Sequence, residues 1–223
     1  MSGDGDPRHG VWAIVVAAGS GSRFGAPKQF LNLAGQRVID RSVAVAAGHA
    51  EGVVVVLPGE RVDDADIADE VAGTAVIVTA GADSRAGSAR AGLAAVPDSA
   101  DVILVHDGAR PLASAAVYAA VIGAVRGGAD AAVPSVPVTD TIRRVDGGIV
   151  DRSELVAVQT PQGFRAQALR AAHAAGHDAT DDATLVEADG GTVVLVPGDS
   201  RNLKLTTPAD LLVAEVLLDG ETP

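Results

Sequence analysis

Short apolar, β-branched runs recur along this 223-residue chain, and the stretches between them have helix length. The runs are VWAIVVA (11–17), GVVVVLP (52–58), TAVIVTA (74–80), DVILVHD (101–107) and DAAVPSVPV (130–138). The stretches at 36–50, 60–72, 83–96 and 113–127 carry Ala, Leu and Val at helical spacing with charges between them. Strand, helix, strand repeated in this way predicts an α/β fold with a mainly parallel sheet covered on both faces. Ligands of such sheets bind beyond the carboxyl ends of the strands. The residues that follow each run are therefore the first to search.

One segment departs from the alternation. TDTIRRVDGGIVDRSELVAVQTPQGF (139–164) alternates apolar and polar residues around Asp146, Gly147 and Gly148, which predicts a hairpin arm. Two helical stretches, a strand TVVLVPG (192–198) and a last helix entered at Thr207 and Pro208 complete the chain. The length fits one domain at 1–223, with a flexible N-terminus at 1–10. No signal-like apolar segment opens the chain and no run reaches spanning length, so a soluble, cytoplasmic protein without membrane partners is expected.

A formal net charge of -12 disfavours a nucleic-acid-binding face, which needs clustered cations. One small polyanion remains compatible if cations are concentrated at a site. The absence of cysteine excludes disulfides, zinc-thiolate centres and a cysteine nucleophile. Of the 17 basic residues only Lys28 and Lys204 are lysines. A compact ammonium at two motif positions suits point contact with phosphate oxygens.

Lys28 closes a glycine-rich turn, AAGSGSRFGAPKQF (17–30), directly after the first run. The turn lacks the G-x-x-x-x-G-K-S/T of a P-loop. It also misses the dinucleotide fingerprint, since Phe24 stands at the third glycine position and the second strand ends without a ribose-binding acid. Amides of such a turn, with Arg23 and Lys28, can face phosphate; the plainer alternative is a tight βα turn with two solvated cations. Asp107, ending the fourth run in VILVHDGARP, could hold Mg2+ beside a nucleotide phosphate or simply cap the next helix. Arg110 lies three residues on. His173 and His177, four apart, are candidates for chelation without an H-E-x-x-H pattern.

In order along the chain, AAGSGSRFGAPKQF, GADSRAGSARAGL, VHDGARP, PVTDTIRR, QTPQGF, TDDATLVE and NLKLTTPADL resemble the 2-C-methyl-D-erythritol 4-phosphate cytidylyltransferase family of the non-mevalonate isoprenoid pathway. The resemblance runs from Val11 to about Leu218 and implies a Rossmann-like nucleotidyltransferase fold with a protruding β-hairpin arm at 138–160 for dimerisation. It implies that Ala17, Ala18 and Gly19 bring backbone to CTP. Arg23, Lys28, Arg152 and Lys204 would be catalytic, neutralising phosphate charge. Ala82, Asp83, Arg85 and Ser88 would read the nucleotide, and Asp107 would be the Mg2+ ligand. Arg110, Thr141, Arg152 and Thr160 would meet the acceptor phosphate, with the arm residues supplied by a partner subunit. Two positions depart from the family: Ala82 replaces a glycine, and Ser22 stands where some relatives carry a base.

The residues are consistent with that chemistry. A phosphate monoester has its second pKa near 6, so its oxygen is largely ionised at neutral pH and needs no general base. Positioning and charge neutralisation then carry the transfer. Ribitol 5-phosphate cytidylyltransferase, a nucleotide-binding protein without catalysis and a structural dimer module are the alternatives. TDDATLVE also reads as nothing more than a capped helix start at Thr180.

Overall fold

The structure is a computed structural model that describes residues 6–19, 24, 27–63, 66–174, 176–179 and 181–220. It begins with β1 (Val11–Val16) and a small hairpin of β2 (Asn32–Leu33) and β3 (Gln36–Arg37). Then follow α1 (Val38–Ala47), β4 (Gly52–Leu57), β5 (Glu70–Val71), β6 (Thr74–Ala80), α2 (Arg85–Ala95), β7 (Val102–Asp107), α3 (Ala115–Arg126) and β8 (Ala131–Pro137). After β9 (Ile142–Arg143) and β10 (Ile149–Val150) come β11 (Val156–Val158), β12 (Gln162–Arg165), α4 (Ala166–Ala174), α5 (Asp182–Ala188), β13 (Val193–Pro197) and α6 (Pro208–Asp219).

Nine strands form one sheet in the order β11-β8-β12-β7-β1-β4-β6-β5, with β13 also on β8. Its centre, β7-β1-β4-β6, is parallel, as the alternation predicts. All six residues of β4 are buried because helices cover both faces. Val53 and Val55 face the cluster under α1 and α3, while Val54 and Val56 face the one under α2, α4 and α5. Period-two side-chain direction thus makes a continuous valine run serve two cores. Val16 lies level with Val56 on one side and Asp107 on the other, so the loops leaving three strands start from one edge.

Three expectations need correction. The described residues of the stretch 60–72 form no α-helix: a 3-10 turn at Gly59–Arg61 is followed by β5, which folds back antiparallel on β6. Asp66 and Ala72 have positive φ (46° and 52°), and Gly73 follows at 78°, a backbone that ends helix and turns a tight hairpin. The 138–160 arm is not one free-standing hairpin. Only β9 and β10 pair as a separate hairpin, around Gly147 and Gly148 at positive φ; β11 returns to the large sheet against Ser135–Pro137, and β12 lies antiparallel between β7 and β8. Residues 6–10 of the N-terminus are tied down, since the Arg126 guanidinium donates to the Pro7 and His9 carbonyls and the Gly10 amide donates to Glu51.

The last helix behaves as read. Thr207 and Asp210 form a capping box with Pro208 in the first turn. A third apolar cluster of Leu33, Val38, Leu205 and Ala214 anchors this end of the chain to α1 and the β2–β3 hairpin. No described helix is long and apolar enough to cross a membrane.

Close helix-on-sheet packing depends on Gly92 in α2, where an added Cβ would collide with Ile14 and come within 2.8 Å of the Val56 side chain. Gly92→Ala is expected to lower stability by about 1–3 kcal/mol, because overpacking outweighs the gain of up to ~1 kcal/mol in helix propensity. Denaturant unfolding of the two proteins checks this.

Candidate active site

A cleft of about 630 Å³ opens at the carboxyl edge of the parallel strands. Its walls are the β1 loop (Ala17, Ala18, Gly19), Lys28, the β6–α2 turn (Ala82, Asp83, Arg85, Ser88), Asp107 and Lys204. The structure thus gathers nearly the whole nucleotide set expected from the sequence. Arg23 and Ser22 lie outside the described residues, as does Thr180.

The loops that form the cleft are held by buried polar clips. Gln29, 3% exposed, donates its amide to the carbonyls of Ala17 (2.9 Å) and Gly19 (3.1 Å), joining both ends of the described turn. The Ser88 hydroxyl bonds both the N–H and the C=O of Ala82 at 3.1 Å, locking the turn beside it. Gly81 sits where a Cβ would strike Ala18 and lie 2.8 Å from the Ser88 hydroxyl, which explains a glycine there. Ala82 is exposed, so its methyl, the departure from the family pattern, is accommodated at the surface of the turn.

Asp107 is the electrostatic centre. Its carboxylate accepts from Lys204 Nζ at 2.6 Å, with Arg85 Nε at 3.6 Å and Arg110 Nε at 4.0 Å. Burial by itself would raise its pKa, but Lys204 and then Arg85 outweigh that and hold it at about 2. Lys204 arrives here because its neighbours Leu203 and Leu205 pack into the third apolar cluster, and the Leu205 amide donates to the Ala109 carbonyl.

Behind Asp107 lies His106, fully buried. Its Nε2 faces the Arg110 carbonyl at 3.1 Å, and a carbonyl only accepts, so Nε2 carries the proton. In the neutral ring Nδ1 is then bare and accepts from the Thr160 hydroxyl at 3.2 Å, while Thr160 Oγ1 accepts the Asp107 amide at 2.9 Å. Burial lowers the His106 pKa to about 4, with Asp107 opposing only in part. Thr160 was expected to meet the acceptor phosphate; its hydroxyl is instead buried and engaged on both sides. Arg110 likewise braces the site, donating to the carbonyls of Asn202 (2.7 Å) and Val158 (3.4 Å).

Thr141 and Arg152 do not line the cleft. Both are exposed on the arm, where the Arg152 guanidinium donates to the Thr139 carbonyl. The His173/His177 chelate is not formed, because His177 lies outside α4 and His173 turns inward to Asp182 at 3.0 Å. Among the described residues no group of three or more His, Cys, Asp or Glu is placed to hold a metal. The donor set nevertheless fits Mg2+ of the kind bound by one carboxylate together with substrate phosphates, with Asp107, ionised and at the cleft wall, as that carboxylate.

Gln29, Asn202 and Asp182 escaped the sequence search. Asn202, fully buried, donates to the Thr160 carbonyl at 2.9 Å and fixes the segment that carries Lys204. Its only signal was its place two residues before that lysine.

A sheet edge that converges glycine-loop amides, lysines and an ionised aspartate defines a nucleotide-phosphate-handling α/β protein of the nucleotidyltransferase type. The family model described as IspD, 2-C-methyl-D-erythritol 4-phosphate cytidylyltransferase, matches residues 11–220, and the chain belongs to that family. It is 45% identical to the 2-C-methyl-D-erythritol 4-phosphate cytidylyltransferase of Nocardia farcinica, over 97% of each chain. It is 48% identical to a bifunctional enzyme IspD/IspF of Clavibacter michiganensis over 95% of its own length, and spans 55% of that longer protein. The crystal structure of the Thermus thermophilus 2-C-methyl-D-erythritol 4-phosphate cytidylyltransferase superposes with a TM-score of 0.77 at 35% identity, covering 93% of this chain and 98% of that one.

The buried histidine has a consequence for acid stability. Between pH 6.5 and about 4 the unfolded chain binds a proton at His106 that the folded chain refuses, so stability falls as pH drops through that window. Asp107 adds a further loss from its ordinary value of 3.8 down to about 2, worth on the order of 2 kcal/mol. Urea unfolding from pH 7 to 4 should show the first loss in the wild type, and His106→Gln, which keeps a donor toward the Arg110 carbonyl, should flatten it.

Proposed function

We propose that this chain joins CTP to 2-C-methyl-D-erythritol 4-phosphate, releasing pyrophosphate and 4-diphosphocytidyl-2-C-methyl-D-erythritol, as a cytoplasmic homodimer. The observation that carries the proposal is the convergence of Lys28, Lys204, Arg85 and Asp107 on one cleft beside the β1 turn, in a chain of this family. An oxygen of the acceptor phosphate attacks the α-phosphorus in line, forming one P–O bond while the bond to the β-phosphate bridging oxygen breaks. The electron pair leaves with pyrophosphate.

Lys28 and Lys204, with Arg23, neutralise the triphosphate and the charge that builds on the pentacoordinate phosphorus. Backbone of Ala17, Ala18 and Gly19 approaches the nucleotide, and Ala82, Asp83 and Arg85 face its base and ribose. Mg2+ held by Asp107 and the phosphates would supply further charge neutralisation. When Lys204 turns to phosphate, its present partner Asp107 is released for that task. Arg110 stands at the acceptor side, and Thr160 acts there by holding Asp107. Thr141 and Arg152 reach the cleft of the other subunit from the arm. Exposed Val145, Ile149 and Leu155 give that arm an apolar surface for the pairing. Relatives at 43–48% identity include the isoprenoid enzyme and bifunctional proteins containing it, which favours the methylerythritol acceptor over ribitol 5-phosphate.

Lys204→Ala and Lys28→Ala are each expected to lower kcat by about 10²–10³-fold with the fold intact, as for removal of a transition-state donor. Pyrophosphate release with CTP, Mg2+ and each of the two acceptors in parallel measures this and the preference together. The role of the arm is tested by mixing Arg152→Ala with Lys28→Ala protein. Subunit exchange should restore part of the activity, since one of the two sites in each heterodimer then holds both wild-type residues; absence of recovery despite exchange excludes action across the subunits.

A further inference from the structure

The TDDATLVE motif contains more acid than a helix start requires. Asp181 caps α5: one of its oxygens accepts the Ala183 amide at 2.8 Å and the other accepts Gln162 Nε2 at 2.7 Å. Asp182 follows it as the first residue of α5 and is fully buried, so its carboxylate is not the one that accepts the capping amide. A carboxylate is kept out of water only where partners offset its desolvation. Asp182 has two, from two other helices: Oδ2 accepts from Arg85 Nη1 of α2 at 2.6 Å, and Oδ1 faces His173 Nε2 of α4 at 3.0 Å.

Arg85 is the first residue of α2 and lines the cleft, and its Nε lies 3.6 Å from the Asp107 carboxylate. Arginine has a long side chain rich in rotamers, so an unbraced guanidinium at a cleft wall would sample many directions. Here it is gripped from behind, at Nη1, by a carboxylate that is itself held by His173 on α4. We propose that Asp182, backed by His173, is a positioning residue that fixes the Arg85 guanidinium in the wall of the nucleotide cleft. This rests on the cleft taking CTP. Without Asp182 the nearest remaining carboxylate is Asp107, so Arg85 turns toward it and away from the nucleotide.

Calorimetric CTP binding to the full chain, with kcat and KM from pyrophosphate release, tests the inference. Asp182→Asn should weaken CTP binding and raise its KM by about tenfold, the scale of one hydrogen bond to a charged group, with kcat changed less than about threefold. Arg85→Ala should cause a similar loss, and the double variant should be no worse than about twofold beyond either single one, since both act through the same guanidinium. Losses that multiply in the double variant overturn the proposal, as does unchanged CTP affinity in a folded Asp182→Asn protein. A wild type that binds no CTP overturns the nucleotide cleft itself, and the inference with it. If Asp182→Asn does not fold, His173→Leu and His173→Gln carry the test. Weakened CTP binding in the first, restored in the second by its amide donor, supports the proposal; equal affinity in both overturns it.

Discussion

The ion pair between Asp107 and Lys204, 2.6 Å long at the end of β7, is the contact around which the site is organised. The two residues are 97 positions apart and neither element positions the other locally. Asp107 is placed by the parallel register of β7 on β1 and by the Thr160 hydroxyl on its amide. Lys204 is placed by the leucines on either side of it. The pair therefore forms only when the sheet, the β12 segment and the C-terminal anchor are all in place.

That dependence also explains how a chain of net charge -12 can accept a polyanion. The surface as a whole repels phosphate, yet Lys28, Arg85 and Lys204 are brought to one cleft, with Arg110 directly behind. Field at a concave site follows the local arrangement of charge more than the total. Asp107 gathers Lys204, Arg85 and Arg110 within 4.0 Å of its carboxylate, so like charges are assembled at the wall of the cleft.

Much of this was legible in the sequence, for a physical reason. β-Branched runs with helix-length separations leave few alternatives to a parallel sheet, and strand ends then predict the functional edge; Asp107, Lys28 and Lys204 all lie there. The 60–72 stretch was misleading because its apolar spacing suits a helix, whereas positive φ at Asp66 and Ala72 is a backbone property that side-chain periodicity does not report. The arm reads as one hairpin because β11 alternates like a hairpin strand, whereas its pairing with β8 is decided by tertiary contact. Gln29, Asn202 and the second aspartate of TDDATLVE were hidden for a related reason. Each acts by bonding to a segment brought near only by folding, and no local spacing marks such a partner.

The ionisation states fit the reaction proposed for the site. Asp107 stays charged down to about pH 2, His106 stays neutral above about pH 4, and Arg85 is held cationic by Asp182 and Asp107 against the opposing effect of its burial. None of these groups changes state near neutrality, so none is suited to take a proton from a nucleophile and return it in each turnover. A hydroxyl acceptor would need such a group. A phosphate monoester, whose second ionisation near pH 6 is its own, does not. The buried polar atoms beside Asp107 are accordingly spent on holding charged side chains in place, and an acceptor that brings its own negative charge suits such a site.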